Sequence, residues 1–255
     1  MADERDLHVY LLPELAPAGA LVGGVAVAID VLRATTTIVH ALAAGAGGVR
    51  PVAELDEART LADGMPAGRV LLGGERCGVA PPGFDLGNSP REYTPKKCRD
   101  TTIVLTTTNG TKAILRAAEA ERVLIAAFAN YSAVCEQLRH DARPIHIVCA
   151  GTAGDVSLED TLLAGALVDY LSEELEVRLD DAARLAWDCF ENHGRILLGA
   201  LEVGKGGANL RALGYDDDIK AAAEVDKFHL VPELRRDPLR VEIGAVGIVA
   251  SRWKR

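Results

Sequence analysis

One carboxylate that could bind a metal or attack an electrophile lies inside an apolar segment. Asp30 falls in the run Val25–Leu32, which is otherwise apolar on both faces. A buried carboxylate without a partner costs roughly several kcal/mol, so Asp30 needs a cation, an arginine or a ring of donors. One interpretation pairs Asp30 with Arg33 and makes Thr35 the cap of the next helix. The other makes Asp30 a metal ligand or nucleophile, with Arg33 and the helix N-terminus holding an anion.

A glycine-rich segment carries groups of both signs. Glu75 and Arg76 follow Gly73 and Gly74, and glycines let a backbone approach a ligand closely. Glu75 offers a ligand for a cation, and Arg76 offers donors for an anion. Farther along, Asn88-Ser89-Pro90 is either part of the same site or an ordinary turn.

A third segment has the composition of a phosphate-binding corner between a strand and a helix. Its residues are Thr107, Thr108, Asn109, Gly110 and Thr111. Such a corner presents backbone N–H groups together with side-chain donors, which is what a phosphate requires. The alternative is a plain helix N-cap by Thr108. The segment is not a Walker loop, because the G-x-x-x-x-G-K-[ST] pattern is absent.

A fourth segment places three acids at the start of a long helix, namely Asp155, Glu159 and Asp160. A helix advances by about 100° per residue, so Glu159 and Asp160 each share a face with apolar residues farther along the helix. Both acids therefore lean toward the core, which favours a metal or catalytic role for at least one of them. The alternative is that Ser157 and Asp160 form a capping box.

The acids of these segments are hard oxygen ligands without accompanying histidines. Such ligands suit Mg²⁺ better than Zn²⁺. The predicted metal ligands are Asp30, Glu75, Asp155, Glu159 and Asp160. Because arginines and helix N-termini accompany them, the pattern indicates phosphoryl transfer, in which a metal neutralises phosphate oxygens and positions water.

Several familiar enzyme sites are excluded by their missing residues. A haloacid-dehalogenase site would need a second Asp at the position of Leu32, and a cysteine phosphatase at Cys149 would need Arg at the position of Asp155. No G-x-S-x-G elbow is present. The glycines near Gly204 lack the third glycine of a dinucleotide fingerprint.

The elements that must position these residues alternate between short apolar runs and helical patterns. Runs that are apolar on both faces indicate burial from both sides, and we expect an α/β fold with three α/β/α layers and a largely parallel, mixed sheet. The predicted strands are Leu7–Leu12, Val25–Leu32, Val49–Ala53, Val70–Gly73, Thr102–Thr107, Arg122–Ala127 and Ile145–Ala150. The predicted helices are Thr35–Gly45, Leu55–Asp63, Gly110–Ala120, Tyr131–His140 and Ser157–Leu175. Because ligands bind beyond the carboxyl ends of parallel strands, the four polar segments should meet there.

The part of the chain from about residue 180 onward is predicted to be mainly helical and to end in strands. Helical patterns cover Asp180–Gly194 and Asn209–Val225 and are broken by the glycines between Gly204 and Gly207. The expected strands are Phe228–Val231 and Val241–Val249. Without a repeat or a low-complexity linker, residues 1–255 are expected to form a single domain.

Composition narrows the classes of partner. The chain of 255 residues has 28 Lys and Arg against 37 Asp and Glu, a net charge of −9 without a dense basic run, which excludes nucleic acid as an expected partner. Its apolar stretches are far shorter than the roughly 20 residues of a membrane span. The acidic N-terminus lacks the features of a secretory signal, so we expect a soluble, cytoplasmic protein. A homodimer is the default expectation for a soluble enzyme of this size.

In combination, these motifs resemble those of the 2-phosphosulfolactate phosphatase family (ComB-type). The motifs that carry the resemblance are Asp30-Val-Leu-Arg-Ala-Thr-Thr, Gly74-Glu-Arg, Gly83-Phe-Asp-Leu-Gly-Asn-Ser-Pro, Thr107-Thr-Asn-Gly-Thr, Cys149-Ala-Gly-Thr and Leu158-Glu-Asp-Thr. The resemblance implies a ComB-like fold and a Mg²⁺-dependent phosphatase. The implied reaction converts 2-phospho-3-sulfolactate to 3-sulfolactate and phosphate, a step in coenzyme M biosynthesis.

This substrate is a small phosphorylated anion that carries a phosphate, a sulfonate and a carboxylate, and the residues suit it. We expect Asp30, Arg33 and Glu159 to be catalytic, and Asp30, Glu75, Glu159 and Asp160 to hold Mg²⁺, with Asp155 as a further candidate ligand. The expected substrate-binding residues are Arg76, Asn88, Thr107, Asn109, Gly110, Thr111 and Thr35. Arg33 and the Thr107–Thr111 corner would bind phosphate, while Arg76 and Asn88 would bind the sulfonate or carboxylate.

Three points stay open at the level of sequence. Asp30 could itself attack phosphorus, or water could do so directly. The substrate could be another small phosphorylated carboxylic acid. The chain could also be a non-catalytic protein that binds an anionic metabolite.

Overall fold

A computed structural model describes residues 4–66, 68–244 and 253 of the chain. The strands within these ranges are β1 (Arg5–Tyr10), β2 (Val25–Ile29), β3 (Gly48–Pro51), β4 (Val70–Gly74), β5 (Thr102–Thr106), β6 (Arg122–Ala126), β7 (Ile145–Cys149), β8 (Val177–Leu179), β9 (Pro232–Arg236) and β10 (Leu239–Ile243). The α-helices are α1 (Ala34–Ala43), α2 (Leu55–Asp63), α3 (Pro95–Cys98), α4 (Gly110–Ala117), α5 (Tyr131–Arg139), α6 (Leu158–Glu174), α7 (Asp181–His193), α8 (Leu197–Val203), α9 (Lys205–Ala212) and α10 (Asp216–Ala222).

The ten described strands form one mixed sheet in the order β4-β5-β3-β10-β9-β6-β2-β7-β1-β8. Two blocks of it are purely parallel, β4-β5-β3 and β6-β2-β7-β1-β8. The hairpin β9–β10 joins the blocks, and all three pairings at this junction are antiparallel. The prediction of a largely parallel, mixed sheet is therefore confirmed.

Strand β2 shows why the fold has three layers. Alternate side chains of a strand point to opposite faces, and in β2 all five residues are buried. Val25, Val27 and Ile29 pack into an apolar cluster with α5, α6 and α7, whereas Ala26 and Ala28 pack into a second cluster with α1 and α4. Helices thus cover the sheet on both faces, as expected for an α/β/α arrangement.

The two parallel blocks meet through the loops that follow their strands. Arg33, in the loop after β2, donates from Nη2 to the carbonyl oxygen of Gly78, after β4, at 2.6 Å. Thr37 donates from its hydroxyl to the carbonyl oxygen of Asn88 at 2.8 Å. The carboxyl ends of β2 and β4 are thereby held together, although they belong to different blocks.

Most of the predicted elements before residue 180 are present, and the differences lie mainly beyond it. The predicted strand at Phe228–Val231 is wrong, because β9 begins at Pro232. Strand β8 was not predicted. The break predicted at Gly204–Gly207 is confined to Gly204, since α9 begins at Lys205 and contains the next two glycines. The strand predicted over Val241–Val249 is present up to Ile243, and residues 245–249 lie outside the described part.

None of the helices in the described ranges is long and apolar enough to cross a membrane.

Candidate active site

A cavity of about 470 Å³ opens where the loops after β2, β4, β5 and β7 meet α9. Its polar lining includes Asp30, Arg33, Glu75, Asn88, Thr108 and Asn109. These residues come from three of the four segments predicted to meet at the strand ends. The fourth segment contributes Thr152 and Ala153, which precede its acids in the chain.

Asp30 is 6% exposed and follows the last residue of β2. Burial raises the pKa of its carboxyl well above the ordinary value, and the neighbouring Asp160, Glu75 and Glu159 raise it further. Thr35 holds the turn, because its hydroxyl accepts from the N–H of Asp30 and donates to the carbonyl oxygen of Asp30. Thr35 is fully buried, and its hydroxyl is used by this backbone pairing.

Glu159 and Asp160 are each only 2% exposed, which agrees with the prediction that both side chains face the core. Asp160 accepts the N–H of Val31 at 2.8 Å and the N–H of Gly151 at 3.0 Å, and so clamps the loops after β2 and β7. Ser157 is the N-cap of α6 but makes no side-chain cap bond, so the capping-box alternative is not realised.

Glu159 lies beneath the junction of α8 and α9. Its Oε2 atom is buried and has no hydrogen-bond partner among the described residues. A Cβ atom on Gly204 would lie 2.7 Å from Oε2, and one on Gly206 would overlap Oε1. Burial, followed by repulsion from Asp160, raises the pKa of Glu159. Glu159 thus sits just behind Gly206, which lines the cavity.

Arg33 pairs with Asp218 of α10 rather than with Asp30. Its Nη1 donates to Asp218 Oδ2 at 2.7 Å, and both side chains are 2% exposed. Its Cζ lies 4.5 Å from the centroid of the Tyr215 ring. The interpretation that paired Arg33 with Asp30 is not realised. Asp218 and Tyr215 were not among the predicted site residues.

Glu75 lines the cavity and fixes two loops through backbone N–H groups. Its Oε1 accepts from Thr108 at 2.7 Å, and its Oε2 accepts from Gly78 at 2.8 Å. Since both oxygens have backbone partners, Glu75 connects the loop after β4 to the corner after β5.

Arg76 does not belong to the cavity lining. Its guanidinium donates to the carbonyl oxygens of Glu75 and Ala53 and to the hydroxyl of Thr106. The side chain predicted to bind a sulfonate or carboxylate therefore lies against its own loop and β5.

The corner after β5 uses its hydroxyls in two different ways. Thr107 accepts the N–H of Thr111 at 3.1 Å, and the Thr111 hydroxyl donates to the carbonyl oxygen of Thr107 at 2.8 Å. Thr107, rather than Thr108, thus supplies the hydroxyl that binds the start of α4. The hydroxyl of Thr108 is buried in the cavity lining without a partner among the described residues.

Two asparagines complete the polar lining. Asn88 is 4% exposed, and its Oδ1 has no partner within the described part of the chain. Asn109 accepts the N–H of Ala153 through Oδ1 at 3.3 Å and so links the loops after β5 and β7. Gly110 follows Asn109 and packs against Asp30.

Asp155 lies outside this cavity lining. It is exposed and forms an ion pair with Lys205, which lowers the pKa of its carboxyl. Across residues 4–66, 68–244 and 253, no three Asp, Glu, His or Cys side chains converge to hold a metal ion by themselves.

The sequence comparisons agree on one family. The model of the 2-phosphosulpholactate phosphatase family matches residues 10–237. A protein of Symbiobacterium thermophilum is 43% identical over 217 residues, which cover 85% of this chain and 93% of that protein. One of Thermotoga petrophila is 44% identical over 221 residues, or 86% and 93% of the two chains. One of Caldanaerobacter subterraneus is 40% identical over 214 residues, or 84% and 89%.

All three relatives bear the name probable 2-phosphosulfolactate phosphatase. The family match spans all four polar segments and the cavity that they form. It extends through Asp218 and so includes the partner of Arg33. The resemblance seen in the motifs is thereby confirmed, and the chain belongs to the 2-phosphosulfolactate phosphatase family.

Proposed function

We propose that this chain hydrolyses the phosphate ester of 2-phospho-3-sulfolactate and releases 3-sulfolactate and phosphate. The observation that carries this proposal is that Asp30 and Arg33 line one cavity together with Asn88 and Thr108, and the Thr108 hydroxyl has no partner among the described residues. A phosphate ester needs a cationic donor for its oxygens and a group that promotes attack at phosphorus. Family membership supports this choice of substrate.

The arginine is suited to phosphate, and the other lining groups to the remainder of the substrate. Arg33 keeps N–H donors in addition to those bound by Asp218 and Gly78. Thr108 and Asn88 offer a hydroxyl and an amide to the sulfonate or carboxylate. Arg76 has no part in this assignment, because its guanidinium is bound within its own loop.

We further propose that the site takes Mg²⁺. Asp160 and Glu159 raise the pKa of the buried Asp30 carboxyl, and Asp160 also raises that of Glu159, whose Oε2 atom has no partner in the described structure. A divalent cation would relieve this repulsion. Mg²⁺ usually takes only one or two carboxylates and completes its shell with water and phosphate oxygens, so a cluster of three protein ligands is not required.

Within this proposal, Asp30 and Glu159 would hold the cation, while Asp160 and Glu75 keep their oxygens on the backbone N–H groups of the surrounding loops. When bound, Mg²⁺ would neutralise negative charge on the phosphate oxygens and make phosphorus more electrophilic. Arg33 would orient the phosphoryl group.

The test is phosphate release from 2-phosphosulfolactate and from a panel of phosphomonoesters, with Mg²⁺ and with EDTA. The expected result is Mg²⁺-dependent release and a kcat/KM for 2-phosphosulfolactate at least about tenfold above that for phospholactate, which lacks the sulfonate. If the enzyme prefers another phosphorylated acid, that acid becomes the substrate, and the proposed hydrolysis of a phosphate ester stands. Tight binding without release would favour the non-catalytic alternative and contradict the proposal.

A further inference from the structure

Arg33 is the only arginine or lysine among the described residues that line the cavity. Any anion that enters therefore depends on this one guanidinium for its protein cation. A guanidinium binds phosphate well only when its planar set of donors is correctly oriented. What fixes the orientation of Arg33 consequently matters for the proposed reaction.

Three groups hold the guanidinium of Arg33. Asp218 Oδ2 accepts from Nη1 at 2.7 Å, and the carbonyl oxygen of Gly78 accepts from Nη2 at 2.6 Å. The ring of Tyr215 covers one face at 4.5 Å from Cζ. Two hydrogen bonds and a stacked ring leave Arg33 little rotational freedom, while donors remain for a ligand.

Asp218 is itself fixed and lies outside the cavity lining. Ser89 donates from Oγ to Asp218 Oδ1 at 2.6 Å, so each carboxylate oxygen has a partner. Asp218 is 2% exposed, and it lies in α10, 185 residues after Arg33 in the sequence. Any effect of Asp218 on a bound anion must therefore pass through Arg33.

A contribution to stability alone does not explain the buried ion pair of Arg33 and Asp218. Removing two charges from water offsets most of their attraction, and buried ion pairs can often be replaced by apolar residues without loss. A buried pair is more useful for orientation, because its charge-assisted hydrogen bond fixes both partners. The same carboxylate also ties the loop of Ser89 and helix α10 to the site.

We propose that Asp218 is a positioning residue that orients Arg33 toward the phosphoryl group, with Ser89 orienting Asp218 in turn. This inference rests on the proposed function for its kinetic consequences. It gives the helical segment after α9 a role in the reaction, as the support of the cationic donor at the site.

The experiment compares Asp218→Ala and Asp218→Asn with wild type. Loss of the acceptor should lower kcat by about 100-fold in Asp218→Ala, because Arg33 is no longer held in place. In Asp218→Asn the amide can accept from Nη1 and donate to Ser89, so kcat should stay within about tenfold of wild type. The matched control is Asp217→Asn, since Asp217 is the exposed neighbour on α10, and we expect no change.

The same substitution made in an Arg33→Gln protein separates a positioning role from general damage to the fold. In an Arg33→Gln protein, Asp218→Ala should change kcat by less than about twofold, because two residues that act as a unit are not additive. Losses of equal size in both backgrounds would overturn the proposal. If Asp218→Ala does not fold, as judged by circular dichroism, Ser89→Ala should fold and show a smaller loss of kcat in the same direction. A wild-type kcat in Ser89→Ala would then count against the proposal.

Binding of inorganic phosphate, measured by calorimetry, tests the positioning without turnover. Positioning predicts that Asp218→Ala binds phosphate about tenfold more weakly than wild type. Tighter binding would show that Asp218 only neutralises Arg33, and would overturn the inference. If wild type binds phosphate in this way but hydrolyses no 2-phosphosulfolactate, the proposed function fails while the positioning role stands.

Discussion

Asp30 Oδ2 occupies the space that a Cβ atom on Gly110 would need. The same Cβ would overlap the side chain of Ala34, so the start of α4 can approach the end of β2 only because position 110 carries no side chain. This contact joins the two parallel blocks of the sheet at the residue on which the proposed reaction depends.

Gly110→Ala should therefore reduce kcat by about 100-fold, because the new methyl group must displace the Asp30 carboxylate or the start of α4. The measurement is phosphate release at saturating substrate, accompanied by a thermal melt. Gly199→Ala is the control, since a Cβ at that helical position would meet no described atom within 4 Å beyond its own stretch of helix. A Gly110→Ala enzyme with wild-type kcat would show that the contact has no bearing on activity.

Asp30 is expected to act without forming a phosphoenzyme. One of its oxygens packs against Gly110, and in the proposed site the carboxylate would be a ligand of Mg²⁺, which weakens it as a nucleophile. When turnover of a substrate that carries a radiolabelled phosphate is quenched with acid, no label should remain on the protein. Label in the peptide that contains Asp30 would establish attack by the carboxylate instead.

Helices α6 and α7 pack closely at Gly165, where a Cβ would overlap the carbonyl oxygen of Ala186 and come within 2.8 Å of Phe190 Cβ. We expect Gly165→Ala to lower the free energy of unfolding by about 1–3 kcal/mol, because backbone must move to admit the methyl group. Urea titration measures this. Gly199→Ala should be neutral or stabilising by up to about 1 kcal/mol in the same assay. Equal stability of the two variants would contradict the close approach.

The stability of the fold should fall between neutral and acidic pH through His146. Burial, and then the charge of His8, lower the pKa of His146 to about 4. The unfolded state, with an ordinary pKa of about 6.5, binds more protons in this window, so stability is lost as the pH falls from about 6.5 to about 4. After allowance for solvent screening, the loss should be roughly 1–2 kcal/mol.

The measurement is the free energy of unfolding in urea at neutral pH and near pH 4, for wild type and His146→Gln. The variant should show a smaller decrease, because glutamine does not titrate. His229→Gln should behave like wild type, since His229 is exposed. An identical pH dependence in wild type and His146→Gln would exclude His146 as the cause.

The central sheet could be predicted from sequence because its strands are buried on both faces. A run such as Val25–Ile29 is apolar throughout, and Asp30 at its end stands out for that reason. Strand β8 has only three residues and exposes Arg178, so neither length nor pattern marks it. The segment at Phe228 has strand-like composition, yet its N–H binds the carbonyl oxygen of Ala129 outside the sheet.

The candidate site was predicted in part. The acids Asp30, Glu159 and Asp160 are buried, as their places among apolar residues predicted. The pair of Arg33 and Asp218 was missed, since a contact between residues so distant in sequence follows from the packing of α10 and leaves no local pattern. The Arg76 side chain lies outside the cavity lining because its guanidinium binds loop carbonyl oxygens. The residue type alone does not indicate this choice of partners.

Phosphate release from 2-phosphosulfolactate by Asp30→Asn in the presence of Mg²⁺ shows whether this cavity is the active site. Replacing the cavity-facing carboxylate by an amide should lower kcat by about 1,000-fold or more while the protein stays folded. Asp56→Asn, at an exposed aspartate of α2, should retain wild-type kcat. Wild-type release by Asp30→Asn would contradict the assignment of this cavity as the active site.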